Sequence, residues 1–324
     1  MTGPVVRPVI RIASRGSPLA LAQAHLARDA LARAHHWDLG KLDQICPIVT
    51  FRTTGDKVQD RPLAEIGGKG LFAKEIEEAL LQDEADIAVH SMKDLPAVQP
   101  AGLTIGAVLP REDPRDILLS RDGRRFSTLE DGARLGTGSV RRAAQALRRR
   151  PDLEIVPLPG NVQTRMDRLA AGEADAIFLA RAGLARLGLL PPSYEELDTE
   201  EWLPALCQGA ICLETREDDH TARAMVETVD DSASHLAVSS ERGFLSALDG
   251  SCRTPIAGLA TVQAGQLTFR GEVLSLDGRH SWSASRVMAL HAKMPQEIRE
   301  AAFALGEHAA EDVRAAAGAL LPAL

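Results

Sequence analysis

A short stretch that leads from a buried strand into a polar turn constrains this 324-residue chain most strongly. Residues 87–89 form an apolar run typical of a buried strand. A hydroxyl, an ammonium and a carboxylate follow at once, on Ser91, Lys93 and Asp94. Ligands of open α/β sheets bind beyond the carboxyl ends of the strands, so these side chains are candidates for a binding site. The alternative is a surface turn with an exposed ion pair, which is common and weakly stabilising.

A strand, a glycine turn and a capped helix follow one another near the amino terminus. Residues 9–13 read as a strand, and Ser17 and Pro18 suit the N-cap and the first position of a helix. The N-terminus of a helix attracts anions, and Arg15 stands at this corner. The alternative is an ordinary βα turn with a solvated arginine. The spacing predicts that the buried face of the helix carries Leu19, Ala22, Leu26 and Ala30.

Residues 135–142 form a second corner of the same kind. Thr137 and Ser139 supply hydroxyls there, and Arg141 and Arg142 open the following helix. Successive helical residues point about 100° apart, so the two guanidinium groups cannot lie on one surface patch. We therefore expect them to bind two separate carboxylates.

Two further loops carry candidate functional residues. Residues 67–70 hold three glycines around Lys69, which predicts a mobile lid or a close backbone approach, and the spacing excludes a P-loop. Residues 249–255 present Cys252 beside Arg253, and a neighbouring cation favours a reactive or modified thiol. The alternative for this cysteine is an inert, buried side chain.

The remaining pattern alternates strands with helices and then changes near residue 239. Asp277 and Gly278 form a hairpin signal within that last part, and Pro295 opens a final helix. Further strands are predicted at residues 45–50, 103–108, 117–119, 153–158, 176–180 and 202–215, and at 256–262, 267–274 and 281–288. Helices are predicted at residues 72–80, 162–170, 182–189 and 239–248. The segment 202–215 is expected to return to the first sheet.

Composition excludes several classes of function. The net charge of −8 and the aromatic content of 3% argue against a nucleic-acid-binding protein. No apolar run approaches the roughly 20 residues that span a bilayer, and we expect a cytoplasmic protein without a membrane partner. The four cysteines lack metal-ligand spacing, so we expect no metal.

Taken in order, these motifs resemble the porphobilinogen deaminase family. The resemblance covers about residues 9 to 258, with a weaker continuation beyond them. The matching segments are residues 11–15, 17–20, 67–72, 90–96, 111–116, 136–142, 160–161, 164–165 and 208–210, together with Cys252.

The resemblance implies an α/β fold with two βα domains like those of type 2 periplasmic binding proteins and a small α+β C-terminal domain. Domain 1 would comprise residues 1–109 and 203–227, domain 2 residues 110–202, and domain 3 residues 228–324. It also implies a dipyrromethane cofactor bound covalently to Cys252. Four porphobilinogen units would be added to this primer with loss of ammonia, and hydroxymethylbilane, a linear tetrapyrrole, would be released. We expect the protein to be a monomer.

The resemblance also assigns roles to single residues. Asp94 would be the catalytic carboxylate, because a carboxylate near the pyrrole N–H stabilises the cation that forms when ammonia leaves. Lys69, Phe72 and Gln208 would belong to the cleft or its lid. The acetate and propionate groups of the rings would be held by Arg15, Ser17, Ser91, Lys93, Thr137, Ser139, Arg141, Arg142, Arg165 and Arg186.

The chain departs from the family at four positions. Many members carry Ser, Arg, Gly and Gly where this chain has Gly138, Pro159, Cys207 and Ser251. Pro159 removes a cation from the expected site, and a lost charge-assisted hydrogen bond is worth ~1.5–3 kcal/mol. The departures are either neutral or the mark of a paralogue that releases a shorter oligopyrrole. A third alternative is a solute-binding module without catalysis, against which the presence of Asp94 and Cys252 argues.

Overall fold

A computed structural model of the chain describes residues 10–57, 72–249, 254–290 and 295–320. Its strands are, in chain order, β1 Ile12–Arg15, β2 Ile48–Phe51, β3 Ile87–Ser91, β4 Leu103–Val108, β5 Asp116–Ser120, β6 Arg134–Gly136, β7 Glu154–Val156, β8 Ala176–Ala180, β9 Glu195–Glu196, β10 Ile211–Arg216, β11 Ile256–Gln263, β12 Gln266–Leu274 and β13 Ser281–Ala289. The helices are α1 Pro18–Ala34, α2 Leu42–Ile45, α3 Thr54–Lys57, α4 Lys74–Leu81, α5 Val140–Arg149, α6 Val162–Ala170, α7 Arg181–Leu187, α8 His220–Glu227, α9 Ser232–Ala247 and α10 Pro295–Ala317.

The described residues group into two compact units. Unit 1 comprises residues 10–57, 72–111 and 210–235, and unit 2 comprises the rest. The three-domain boundaries drawn from the sequence stay a prediction. Within the described ranges, no helix is both long and apolar enough to span a membrane.

Unit 1 is built on a five-stranded mixed sheet in the order β2-β1-β3-β10-β4. β1 is parallel to β2 and β3, and β10 is antiparallel to β3 and β4. The predicted return of the chain to the first sheet is therefore confirmed, but the strand begins only at Ile211, whereas the sequence predicted one over residues 202–215. Side chains alternate between the two faces, so Ile12 and Ile87 join one core while Ala13 and Ala88 join the other, beneath α4.

Helix α1 begins as the sequence predicts but buries a different face. Ser17 caps it and Pro18 is its first residue. Leu26, expected in the core, is 44% exposed, whereas Gln23, Ala27 and Leu31 are buried. An alanine-rich face of α1 packs closely against the sheet. The prediction of the buried face was wrong because it gave more weight to the larger leucines.

Unit 2 contains a second five-stranded mixed sheet, in the order β7-β6-β8-β5-β9. β6 is parallel to β7 and β8, and β5 is antiparallel to β8 and β9. Phe178 and Trp202 pack on one face, and Ile177 and Leu184 pack on the other. Both faces are covered, as the apolar strands require.

The C-terminal part of unit 2 is an antiparallel sheet, β11-β12-β13, with α9 and α10. The two helices cross at glycines, because a Cβ on Gly243 would overlap the Phe303 carbonyl and one on Gly306 would overlap the Ser240 carbonyl. The three predicted strands and the final helix are confirmed. The two mixed sheets with this α+β part confirm the predicted fold class.

Candidate active site

A pocket in unit 1 lies at the carboxyl ends of β1 and β3. These strands are parallel neighbours, and they end at Arg15 and Ser91. The polar residues that follow the two strands therefore meet at one pocket. The polar lining residues are Arg15, Ser17, Gln23, His90, Ser91 and Asp94, and the apolar ones are Leu19, Ala20, Phe72, Ala73 and Val89.

Local contacts hold the first corner of this pocket. The Ser17 hydroxyl accepts the Ala20 N–H at 3.3 Å, so it caps α1 and aims the helix N-terminus at the pocket. The Arg15 guanidinium stacks on Phe72, 4.1 Å from the ring centroid. Stacking of this kind orients the plane of the guanidinium.

The second corner carries the candidate catalytic carboxylate. Asp94 ends a single 3-10 turn that follows β3 directly. Met92 is buried and anchors the turn, because its N–H donates to the Ala210 carbonyl at 3.0 Å. Asp94 is thereby held half-buried at the pocket, while Lys93 is exposed.

A hydrogen bond ties α1 to the end of β3. The Gln23 amide donates to the Ser91 hydroxyl at 2.7 Å. Sequence reasoning gave Gln23 no role, because its position on α1 was assigned to a different face. Gln23 is the sixth residue of the helix, and a glutamine there indicates a role only once the buried face of the helix is known.

Unit 2 contains the second glycine corner, in which the two hydroxyl groups accept hydrogen bonds from backbone N–H groups. Thr137 accepts the Ser139 N–H at 3.1 Å, and Ser139 caps α5 by accepting the Arg142 N–H at 3.4 Å. The predicted succession of strand, glycine turn and capped helix is confirmed. Binding of ligand carboxylates by these hydroxyls stays a prediction.

The adjacent arginines of this corner share one carboxylate of the chain itself. Arg141 and Arg142 each donate to a different oxygen of the fully buried Asp116 at 2.7 Å. Trp202 and Gln208 donate to the same carboxylate at 3.1 and 2.8 Å. These cations hold the pKa of Asp116 well below its usual range, although burial alone would raise it.

Sequence reasoning missed Asp116 and Trp202. Asp116 is a charged residue at the head of an apolar strand and ends the family-like segment 111–116, but neither signal indicated its partners. Its partners come from the start of α5 and from residues 202–208, so nothing in the local pattern joins them. Binding of two ligand carboxylates by Arg141 and Arg142 stays a prediction.

Two further predicted arginines are desolvated in unit 2. Burial, together with the positive charge of Arg142, lowers the pKa of Arg165 to about 10. The buried Nε of Arg165 has no hydrogen-bond partner in the described part of the chain. Burial likewise lowers the pKa of Arg186 to about 10, and its guanidinium donates to the Gly209 carbonyl at 2.6 Å.

Glycine is required at position 209. Its φ is 89°, and a Cβ there would overlap the Glu112 carbonyl. The neighbouring Cys207 also has a left-handed backbone, with φ 61°, at a position where the family carries glycine. Its side chain is buried.

Several predicted residues lie outside the described part of the chain. These are Lys69, Ser251 and the proposed attachment residue Cys252. Of the other departures, Gly138 is exposed with open space around its Cα, and Pro159 is half-buried. The described residues include no group of three or more His, Cys, Asp or Glu side chains arranged to hold a metal.

Comparisons with known proteins cover nearly the whole chain. The family model described as "Porphobilinogen deaminase, dipyromethane cofactor binding domain" matches residues 10–224, and that of the porphobilinogen deaminase C-terminal domain matches residues 235–315. A porphobilinogen deaminase of Paracoccus denitrificans (strain Pd 1222) is 50% identical over 296 residues, which are 90% of this chain and 93% of the relative. One from Nitrobacter winogradskyi is 48% identical over 311 residues, which are 95% of this chain and 93% of the relative.

Among solved structures, the periplasmic VFT2 domain of BvgS from Bordetella pertussis is similar with a TM-score of 0.39 and 16% identity, covering 68% of this chain and 86% of that one. The two family models and the two relatives carry the assignment. The chain belongs to the porphobilinogen deaminase family.

Proposed function

We propose that this protein is a transferase that deaminates porphobilinogen and joins four units head to tail, releasing hydroxymethylbilane for tetrapyrrole biosynthesis. The observation that carries the proposal is the pocket of unit 1, in which Asp94 and Arg15 line one cavity in a chain of this family. The acidic group suits a substrate whose ring becomes cationic during the reaction, and the basic group suits the two carboxylates that the substrate carries.

Asp94 is the proposed catalytic residue. When the aminomethyl group loses ammonia, positive charge spreads onto the pyrrole N–H. A carboxylate fixed within hydrogen-bond reach of that N–H stabilises the developing charge. Its place on a short turn with a buried anchor favours this role, because a preorganised group loses little entropy when the ring binds.

The cationic residues are proposed to hold the acetate and propionate groups. Arg15 serves in unit 1, where its stacking on Phe72 fixes the guanidinium plane. Lys93, Ser17 and Ser91 add a charge and two hydroxyls near the same strand ends. In unit 2 the corresponding groups are Thr137, Ser139, Arg141, Arg142, Arg165 and Arg186.

The residues of this chain fit a dipyrromethane. Arg165 and Arg186 are desolvated cations, and the buried Nε of Arg165 has no hydrogen-bond partner among the described residues. Carboxylates on two linked rings would compensate such charges. When bound through Cys252, the group supplies the primer to which the substrate units are joined.

Intact-mass spectrometry tests the attachment. The purified protein is expected to exceed its sequence mass by a dipyrrole adduct, and Cys252→Ser is expected to lose the adduct. Cys46→Ala is the control, because that thiol is buried and should keep it. A bare thiol at position 252 that porphobilinogen cannot prime would refute the assignment.

Product analysis tests the reaction itself. Incubation with porphobilinogen is expected to release a tetrapyrrole, and a dipyrrole or tripyrrole as the main product would instead identify a paralogue of altered chain length. Asp94→Asn is expected to bind substrate but to turn over slowly, by about two to four orders of magnitude. Asp218→Asn, an exposed carboxylate of unit 1, is the matched control. Near-normal turnover by Asp94→Asn would remove this residue from the mechanism.

We also propose that the protein acts as a cytoplasmic monomer without nucleic-acid or membrane partners. The net charge of −8 supports the absence of general nucleic-acid binding. Light scattering coupled to size exclusion would test the monomer, and cell fractionation would test the compartment.

A further inference from the structure

Three titratable side chains lie buried together behind the pocket of unit 1. Glu77 comes from α4, His90 from β3 and Glu214 from β10. Glu214 is fully buried, and Glu77 and His90 are each 6% exposed. They share the layer between α4 and the sheet with apolar side chains such as Ile76. Buried charge of this density is costly unless each group is compensated.

The compensation within this cluster is incomplete. The His90 Nε2 lies 3.2 Å from the Glu214 Oε2. Yet within the described structure the His90 Nε2, both Glu214 carboxylate oxygens and the Glu77 Oε1 make no hydrogen bond of good geometry. Four unsatisfied polar atoms in one apolar layer indicate a site that binds an additional proton or a buried water molecule.

The charges facing the cluster favour uptake of one proton near neutral pH. Burial, together with the nearby carboxylate of Glu214, raises the pKa of Glu77 to about 7, although His90 acts in the opposite direction. Glu78, exposed on the same helix, also raises this pKa. On the other side, His90 lines the pocket together with Arg15 and Asp94.

We propose that Glu77, His90 and Glu214 hold one exchangeable proton behind the pocket and that its release weakens the binding of carboxylate-bearing pyrrole rings. The proposal rests on the function proposed above. His90 is a pocket wall, and Ser91 follows it directly. Loss of the proton adds one negative charge to a poorly screened layer beneath these residues, where it repels the acetate and propionate of porphobilinogen. The three residues act through the pocket and are positioning residues.

A conservative substitution isolates this effect. Glu77→Gln keeps the shape of the protonated side chain but cannot release a proton. Glu78→Gln makes the same change on the exposed side of the same helix and is the control; because Glu78 contributes least to the raised pKa of Glu77, its removal should shift the profile slightly toward lower pH and keep its amplitude. The KM and kcat for porphobilinogen are measured between about pH 6 and about pH 8.5, a range in which the substrate carboxylates stay ionised.

In the unsubstituted protein and in Glu78→Gln, we expect KM to rise about three- to tenfold more across this range than in Glu77→Gln. The kcat profiles of the three proteins should run parallel. A KM profile of Glu77→Gln that follows the unsubstituted protein would overturn the proposal, because a merely structural residue would leave the pH dependence unchanged.

A spectroscopic measurement on the same proteins does not require turnover. Infrared difference spectra should show a protonated carboxyl band that is present at about pH 6, lost by about pH 8.5 and absent from Glu77→Gln. In Glu214→Gln the band should disappear at lower pH, since the neighbouring negative charge is gone. A spectrum of Glu77→Gln identical to that of the unsubstituted protein would overturn the proton assignment.

If the unsubstituted protein converts no porphobilinogen, the proposed function fails. Equilibrium dialysis of labelled porphobilinogen at the two pH values then replaces KM. A Kd that rises with pH in the unsubstituted protein but not in Glu77→Gln would support the cluster, and equal profiles would overturn it.

Discussion

Replacement of Asp116 by asparagine should destabilise unit 2 severely. The carboxylate is fully buried and accepts hydrogen bonds from Arg141, Arg142, Trp202 and Gln208. Asparagine keeps the shape, but it leaves two buried guanidinium groups without their counter-charge and turns an NH₂ toward donors. Breaking a buried ion pair in this way costs ~3–5 kcal/mol, a large fraction of the ~5–15 kcal/mol that stabilises a typical domain.

An exposed ion pair of the same geometry is the matched control. Asp312 accepts two hydrogen bonds from Arg286 at 2.7 Å each, the same length as the Arg141 and Arg142 bonds, but both side chains are more than two-fifths exposed. Asp312→Asn should therefore cost no more than ~1 kcal/mol. Because the bond lengths are matched, the difference between the two variants measures the effects of burial, of the second cation and of the Trp202 and Gln208 donors.

Urea unfolding followed by circular dichroism measures both variants. Tryptophan fluorescence adds a second probe, to which Trp202, whose indole donates directly to Asp116, contributes together with Trp37 and Trp282. The lowered pKa of Asp116 fixes the sign of the pH dependence: its stabilisation is present above the unfolded-state value of about 3.9 and is lost only as pH falls through the lower folded-state value. The cost of Asp116→Asn should thus be constant between about pH 5 and about pH 8. A cost within ~1 kcal/mol of that of Asp312→Asn would refute the reasoning.

Three further substitutions have defined outcomes. The pKa of Glu77 is raised to about 7 in the folded protein, so its ionisation destabilises the fold increasingly as pH rises from about 4.5 to about 7. Urea unfolding should therefore show that Glu77→Gln is more stable than the unsubstituted protein at about pH 8, by at most ~3 kcal/mol, and equally stable near pH 4.5. Cys207→Gly should remove ~1–2 kcal/mol of strain from a left-handed backbone, but it also removes a small buried thiol, which opposes this gain. Thermal unfolding should therefore show a net change in stability of less than ~1 kcal/mol. Gly138→Ser adds a side chain in open space and should shift neither the midpoint of unfolding nor KM, and a loss of more than ~1 kcal/mol would contradict the geometry.

The parts of the fold set by short-range pattern could be predicted from the sequence. Ser17 and Ser139 cap the helices expected of them, and the polar residues after β1 and β3 meet at one pocket. Caps, turn glycines and period-two apolar runs act over a few residues, so they are readable without knowing the tertiary packing. The parallel pairing of β1 and β3 then follows from the βα order.

The parts that depend on tertiary packing could not be read in this way. Asp116 is bonded to Gln208, 92 residues further along the chain, and the two arginines that bind it were assigned to ligands. Leu26 was placed in the core because of its size, whereas close packing of α1 selects alanines. The cluster of Glu77, His90 and Glu214 draws on three elements, none of which carries a local motif.

The buried charged groups of this chain differ in how completely their hydrogen bonds are satisfied. Asp116 meets two cations and two neutral donors, so both of its oxygens are satisfied and it needs nothing from outside the chain. Arg165, in contrast, keeps a buried Nε without a hydrogen-bond partner among the described residues, and Glu77 and Glu214 keep carboxylate oxygens in the same condition. An unsatisfied buried group costs free energy in the folded chain, so each one calls for an explanation. For Arg165 the proposed process is the binding of a ligand carboxylate, and for the cluster of Glu77, His90 and Glu214 it is the proposed exchange of a proton.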